Sequence, residues 1–227
     1  MKINEQFSKY ANHYGAYNVI QEKVAIKLLS HVKGAPKNIL DLGCGRGAIV
    51  EKIDWKYEYF IGVDFALGML NLHPHSNNIE CIYGNFNDLE LYEKLAKKQF
   101  DYVFSSSALQ WAKDLKSVMK HIAQLNTPVS LALFTSGTFA TLHKTASIEP
   151  ILHSKDEVYE IQKEYFDLNF EVITYKLEFE NTREMFRYIK KSGVSGSRNL
   201  LSYKQTKQLM QDYPLKHLEF EVVFIYS

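Results

Sequence analysis

Three glycines and a carboxylate stand within seven residues in Asp41-Leu42-Gly43-Cys44-Gly45-Arg46-Gly47. Glycine loses more backbone freedom on folding than any other residue, so three together mark a place where the backbone must turn sharply or approach a ligand. An apolar run, 38–43, precedes them, and a stretch with helical spacing, 48–53, follows. A glycine turn between a strand and a helix brings backbone and the free N–H groups of the helix start against a ligand. The spacing is G-x-G-x-G, led by Asp41, and not the G-x-G-x-x-G of a dinucleotide site. A diphosphate gains little from a neighbouring carboxylate. A ligand with a cationic, amino-acid-like end gains from it.

Further residues extend the pattern. Asp64 closes the next apolar run seventeen residues after Gly47, where a carboxylate can accept hydrogen bonds from both hydroxyls of a ribose. Asn85 and Phe86 follow the third run and can frame an adenine, the amide towards its amino group. Phe65 and Met69 can sandwich the ring, although Met69 equally suits the core face of a helix. The fourth run ends in "SSSALQW", and Ser105 within it borders the same site. A nicotinamide oxidoreductase also uses a glycine turn and an acid, but would need its third glycine one residue later.

The elements that must hold these residues follow from periodicity. Five short runs rich in β-formers (38–43, 59–64, 79–84, 101–106 and 129–135) read as strands buried on both faces. Stretches with helical spacing alternate with them, which predicts a doubly wound α/β sheet. Two longer strands, 170–180 and 218–227, with helices at 182–191 and 202–213 between them, bring the sheet to seven strands, mostly parallel. Helices fill the first 33 residues. The chain of 227 residues suits one domain. Lys+Arg of 27 against Asp+Glu of 26 gives no global pull towards nucleic acid or a membrane surface. Cys44 and Cys81 have no metal-ligand spacing and read as reduced thiols of a cytosolic protein without a signal peptide. His73-Pro74-His75 reads as a surface loop and not as a metal site.

The glycine loop, Asp64 and the Asn85-Phe86 pair, over about 36–135, resemble a class I S-adenosylmethionine-dependent methyltransferase. The resemblance implies that Asp41, Gly43, Cys44 and Gly45 lie under the methionine part of S-adenosyl-L-methionine, that Asp64 holds the ribose, and that Asn85 and Phe86 frame the adenine. Many members have Asp where this chain has Asn85. Nearly the whole chain further resembles the malonyl-acyl-carrier-protein O-methyltransferases of biotin synthesis, through Phe7, Tyr14, Gln21, Ala108, Gln110, Trp111, Thr135, Leu142 and Gly193. The usual "PGG" before the fifth strand is replaced by "LNTPVS", and the chain is short for that group. Other small-molecule acceptors, such as trans-aconitate or a quinone precursor, share everything up to the fourth strand.

This second resemblance implies a malonyl thioester on an acyl carrier protein or coenzyme A as substrate, with neither nucleic acid nor membrane as partner. A carboxylate acceptor is ionised at neutral pH and needs no general base. Tyr14 and Gln110 are expected to donate hydrogen bonds to it, Trp111 to wall the pocket, and Arg198 to form a two-pronged pair with it. Tyr14 and Trp111 also suit simple packing, and Arg198 a solvated surface. Seven basic residues against one acid between Arg183 and Lys207 form a local positive patch suited to an acidic carrier protein or, equally, an ordinary helical face. The expected division is an N-terminal helical lid (1–35), a cofactor-binding half (36–135) and a substrate-side half (136–227).

Overall fold

The computed structural model describes residues 18–192 and 202–227. Phe7, Tyr14, Gly193 and Arg198 lie outside them. The elements in chain order are α1 (Val19–Ser30), β1 (Asn38–Leu42), β2 (Tyr59–Asp64), α2 (Leu67–Leu70), β3 (Ile79–Tyr83), α3 (Leu89–Leu95), β4 (Tyr102–Ser106), α4 (Leu115–Gln124), β5 (Val129–Phe134), α5 (Ala140–Ala146), α6 (Lys155–Lys163), β6 (Asn169–Glu178), α7 (Thr182–Ser192), α8 (Tyr203–Asp212) and β7 (His217–Tyr226). The seven strands form one sheet in the order β3-β2-β1-β4-β5-β7-β6. Neighbours from β3 to β5 run parallel, and β7 runs antiparallel to both β5 and β6.

The strand sequences explain their places. β1, β2, β4 and β5 are nearly continuous apolar runs, buried almost throughout, because helices cover both faces. β6 is an edge strand, and its residues alternate between half-buried and exposed. Since successive side chains point to opposite faces, the runs feed two cores. Ile39, Phe60, Phe104, Ala132 and Phe224 pack on one side with Ile20, Val24, Ala25 and Leu28 of α1. Leu40, Ile61, Val103, Leu131 and Val223 pack on the other with Leu115, Val118, Met119 and Ile122 of α4. The Asp114 carboxylate accepts from the Ser117 amide and hydroxyl and starts α4.

α1 matters to the site because one helical stripe anchors it. Leu28 is fully buried, and its carbonyl accepts from the buried Ser130 hydroxyl on β5. Leu28→Ala is therefore expected to cost about 2–5 kcal/mol, read as a shifted urea midpoint with unchanged slope. A loss below about 1 kcal/mol would contradict this packing.

One sequence expectation changes. The helix expected over 48–53 is a single 3-10 turn, Val50–Lys52, and Ile53 is already extended. Only residues 43–58 separate β1 from β2, and the Trp55 indole N–H bonds the Pro36 carbonyl, so the chain turns back before a full helix can form. Between α4 and β5, Asn126 takes the left-handed conformation (φ 49°). Asparagine is among the few residues that do so at little cost.

Candidate active site

β2 lies on one side of β1 and β4 on the other, so the chain runs outward through β2 and β3 and then crosses back to the far side of β1. Such a switch point opens a crevice at the carboxyl ends of the strands. A cavity of about 290 Å³ lies there. The turn after β1 supplies Gly43, Cys44, Gly45 and Arg46, and the end of β2 with its turn supplies Asp64, Phe65 and Met69. Phe86 follows β3, Ser106, Ser107, Ala108 and Trp111 follow β4, and Asn18, Gln21 and Glu22 come from the start of α1.

The glycine turn combines one close approach with one open position. Gly43 has φ +76°, and a Cβ there would collide with the Ala108 Cβ. Gly45 has φ +54°, and a Cβ there would meet nothing within 4 Å. Its backbone is therefore uncovered.

Four amides of this turn are already used. Those of Gly43 and Cys44 both donate to the Val63 carbonyl (2.8 and 3.0 Å), and that of Gly47 to the Cys44 carbonyl (2.9 Å). The Gly45 amide donates to Asp64 Oδ2 at 2.9 Å, while Asp64 Oδ1 accepts from the Ala66 amide at 2.8 Å. With four of its amides engaged within the fold and no full helix behind it, the turn is weakly equipped to cradle an anion.

What remains is acceptors. Asp64 keeps lone pairs facing the cavity, and burial pushes its carboxyl above the ordinary value against the pull of the Ala66, Gly45 and Phe65 amides. Asp41, just beneath the turn, is 1% exposed, and its Oδ1 has no hydrogen-bond partner. Burial, reinforced by the charge of Asp64, pushes the Asp41 carboxyl up to about 8. Gln21 Oε1 and Ser107 Oγ are also buried without partners. Unpaired buried oxygens and two carboxyls complement a ligand that brings hydroxyl donors and positive charge. S-adenosylmethionine, with its ribose diol, sulfonium and α-ammonium, fits that donor set.

The residues expected at the site fall into two groups. Gly43, Cys44, Gly45, Asp64, Phe65, Met69, Phe86 and Trp111 all line the cavity. Met69 and Phe86 are also 3% and 4% exposed, so core packing and cavity wall coincide in them. Asp41, Ser105, Asn85 and Gln110 are not among its lining residues.

Three of these make hydrogen bonds within the fold. The Ser105 hydroxyl donates to the Leu42 carbonyl at 2.6 Å and pins β4 to β1. The Asn85 carboxamide oxygen accepts from the Asn87 amide (3.0 Å) and side chain (2.7 Å), so its lone pairs serve a local turn instead of an adenine. Gln110 Nε2 donates to the Ser107 carbonyl at 2.6 Å, steadying a residue with φ 60°. Sequence reasoning gave no site role to Gln21, Asn18, Arg46 or Ser107. A glutamine inside the apolar stripe of α1 was the available signal.

Known proteins agree with this reading. A family described as a methyltransferase domain matches residues 39–128. A malonyl-[acyl-carrier protein] O-methyltransferase of Bacillus cereus is 27% identical over 92% of this chain and 86% of its own length. One from Ilyobacter polytropus is 31% identical over 66% of this chain and 61% of its own. Among solved structures, the YcgJ protein of Bacillus subtilis superposes with a TM-score of 0.60 at 13% identity, over 89% of this chain and 97% of that one. Phosphoethanolamine N-methyltransferase 2 of Haemonchus contortus, in complex with S-adenosyl-L-methionine, gives 0.54 at 16% identity, over 89% of this chain and 51% of that one. Residues 39–128 thus belong to a methyltransferase domain family, and the sheet order, the switch-point cavity and its acceptor-rich floor fit the class I S-adenosylmethionine-dependent methyltransferases.

Proposed function

We propose that the chain methylates the free carboxylate of a malonyl thioester borne on an acyl carrier protein, an early step towards biotin. The observation that carries this reading is the likeness to malonyl-[acyl-carrier protein] O-methyltransferases, which runs through 92% of the chain and 86% of the Bacillus cereus relative. Bound S-adenosylmethionine supplies an electrophilic methyl group on a sulfonium. The acceptor carboxylate is already ionised, so no side chain has to remove a proton. Cation and anion become two neutral products, and a site that excludes water favours such charge annihilation. The chain's tasks are then to hold the nucleoside through Asp64, to wall the acceptor with Trp111 and to shut out solvent. Residues 136–227 act as the acceptor side in this reading.

The reading also assigns the carrier-protein face. Arg183 and Arg187 are exposed one turn apart on α7, and Lys204 and Lys207 are exposed on α8. An acidic carrier protein is steered by such a face. Arg183→Glu with Arg187→Glu is expected to raise KM for the malonyl carrier protein about tenfold, while a small malonyl thioester without carrier reacts unchanged. Equal effects on both substrates would remove the face from the proposal.

The function itself is tested by incubation with S-adenosylmethionine and, separately, malonyl carrier protein, malonyl-CoA and trans-aconitate, with products read by mass. A methyl ester on a malonyl thioester is the expected product. Esterification of trans-aconitate alone would replace the malonyl reading by the small-molecule alternative.

A further inference from the structure

Asp64 distinguishes the two ends of the cavity. Asp64, Phe65, Met69 and Phe86 come from β2, its turn and the loop after β3, on one flank of β1. On the other flank stand Ser106 and Ser107 at the end of β4, with Asn18 and Gln21 of α1, a helix packed on β4 and β5. A nucleoside held by its ribose at Asp64, with its base beside Phe65, Met69 and Phe86, directs its 5′ substituent across Gly43 and Gly45 towards β4 and α1. In S-adenosylmethionine that substituent ends in the α-ammonium and carboxylate.

Gln21 waits at that end. The buried face of α1 consists of Ile20, Gln21, Val24, Ala25 and Leu28, and Gln21 is its one polar member. Gln21 is 8% exposed and lines the cavity, and its Oε1 has no hydrogen-bond partner. An acceptor left unpaired in the interior costs about 1–3 kcal/mol. A ligand donor would remove that cost. Oε1 accepts and Nε2 donates, so rotation of the amide lets either meet the amino-acid end, and Gln21→Glu, which offers oxygens alone, separates the ammonium from the carboxylate as partner. We propose that Gln21 Oε1 accepts a hydrogen bond from the α-ammonium of the cofactor and so fixes the amino-acid end against α1. The proposal rests on the cofactor assignment and is independent of which acceptor is methylated.

The test compares two nucleosides by calorimetry. S-adenosylhomocysteine carries the amino-acid end, and 5′-methylthioadenosine lacks it. Gln21→Met keeps the length of the side chain and removes the acceptor, while Gln21→Glu retains an acceptor. Gln21→Met is expected to weaken S-adenosylhomocysteine about tenfold or more, to leave 5′-methylthioadenosine within about twofold, and Gln21→Glu to restore the loss. Equal weakening of both nucleosides would mean that Gln21 acts only through the fold of α1 and would overturn the proposal, as would no weakening of either. A wild-type chain that binds neither nucleoside would overturn the cofactor assignment and the proposal with it, a result distinct from the other two.

Discussion

Asp64→Asn is expected to weaken S-adenosylhomocysteine at least about 100-fold, near 3 kcal/mol. The substitution preserves shape and exchanges one carboxylate oxygen for an NH2 group. Oδ2 accepts from the Gly45 amide and Oδ1 from the Ala66 amide, so either orientation sets one donor against another. The ribose hydroxyls meet the same change from a charged acceptor to an amide, and hydrogen bonds to charged groups are worth about 1.5–3 kcal/mol each. Both losses act on binding, because the Gly45 backbone itself lines the cavity. Calorimetry with the ligand-free variant decides it: an affinity within about threefold of wild type would mean that Asp64 serves the turn alone.

Asp41→Asn has the second large effect, and its sign differs between stability and binding. The Asp41 carboxyl is raised from 3.8 to about 8 by burial and by the charge of Asp64. A group held protonated in the folded chain and ionised in the unfolded one contributes stability that is full below pH 4 and lost as pH rises towards 8. Asparagine does not titrate. The ligand-free variant is therefore expected to overtake wild type across that window, by up to roughly 5 kcal/mol at pH 8 and above. Ligand binding moves the other way. A nearby ammonium or sulfonium favours the ionised carboxyl, so wild-type binding releases a proton and tightens as pH approaches 8. The asparagine variant is expected to bind more weakly and with a flat pH profile. Stability curves that run parallel for the two proteins would remove Asp41 as the titrating group.

Much of this was legible because the signals were short and repeated. All seven strands stand within two residues of the boundaries that alternating apolar runs suggested. Strands buried on both faces have little freedom to lie elsewhere. The glycine turn was legible because no other residue takes the left-handed backbone at Gly43 with Ala108 against it. The side-chain amides were not legible. Asn85 and Gln110 have the right chemistry and spacing for a ligand, yet nearby backbone engages the Asn85 oxygen and a Gln110 N–H, while the Gln110 oxygen is buried and unpaired. Such local competition leaves no mark on hydrophobic periodicity. The missing helix after Gly47 is a matter of loop length, which a helical pattern of six residues overstates. α6 shows a signal that was there to read: Ser154 and Glu157 form a reciprocal cap at its start.

The position of β7 has a consequence for synthesis of the protein. β7 is inserted between β5 and β6, both made before it, and it pairs with β6 along its whole length and with β5 from Val222 to Tyr226. While the ribosome still holds residues 217–226, the nascent sheet presents two unpaired borders, one of them the wholly buried β5. Open borders of that kind invite pairing with other chains. Slow translation through residues 179–216 would prolong that exposure, and a chaperone that shields β5 would be most useful during that interval.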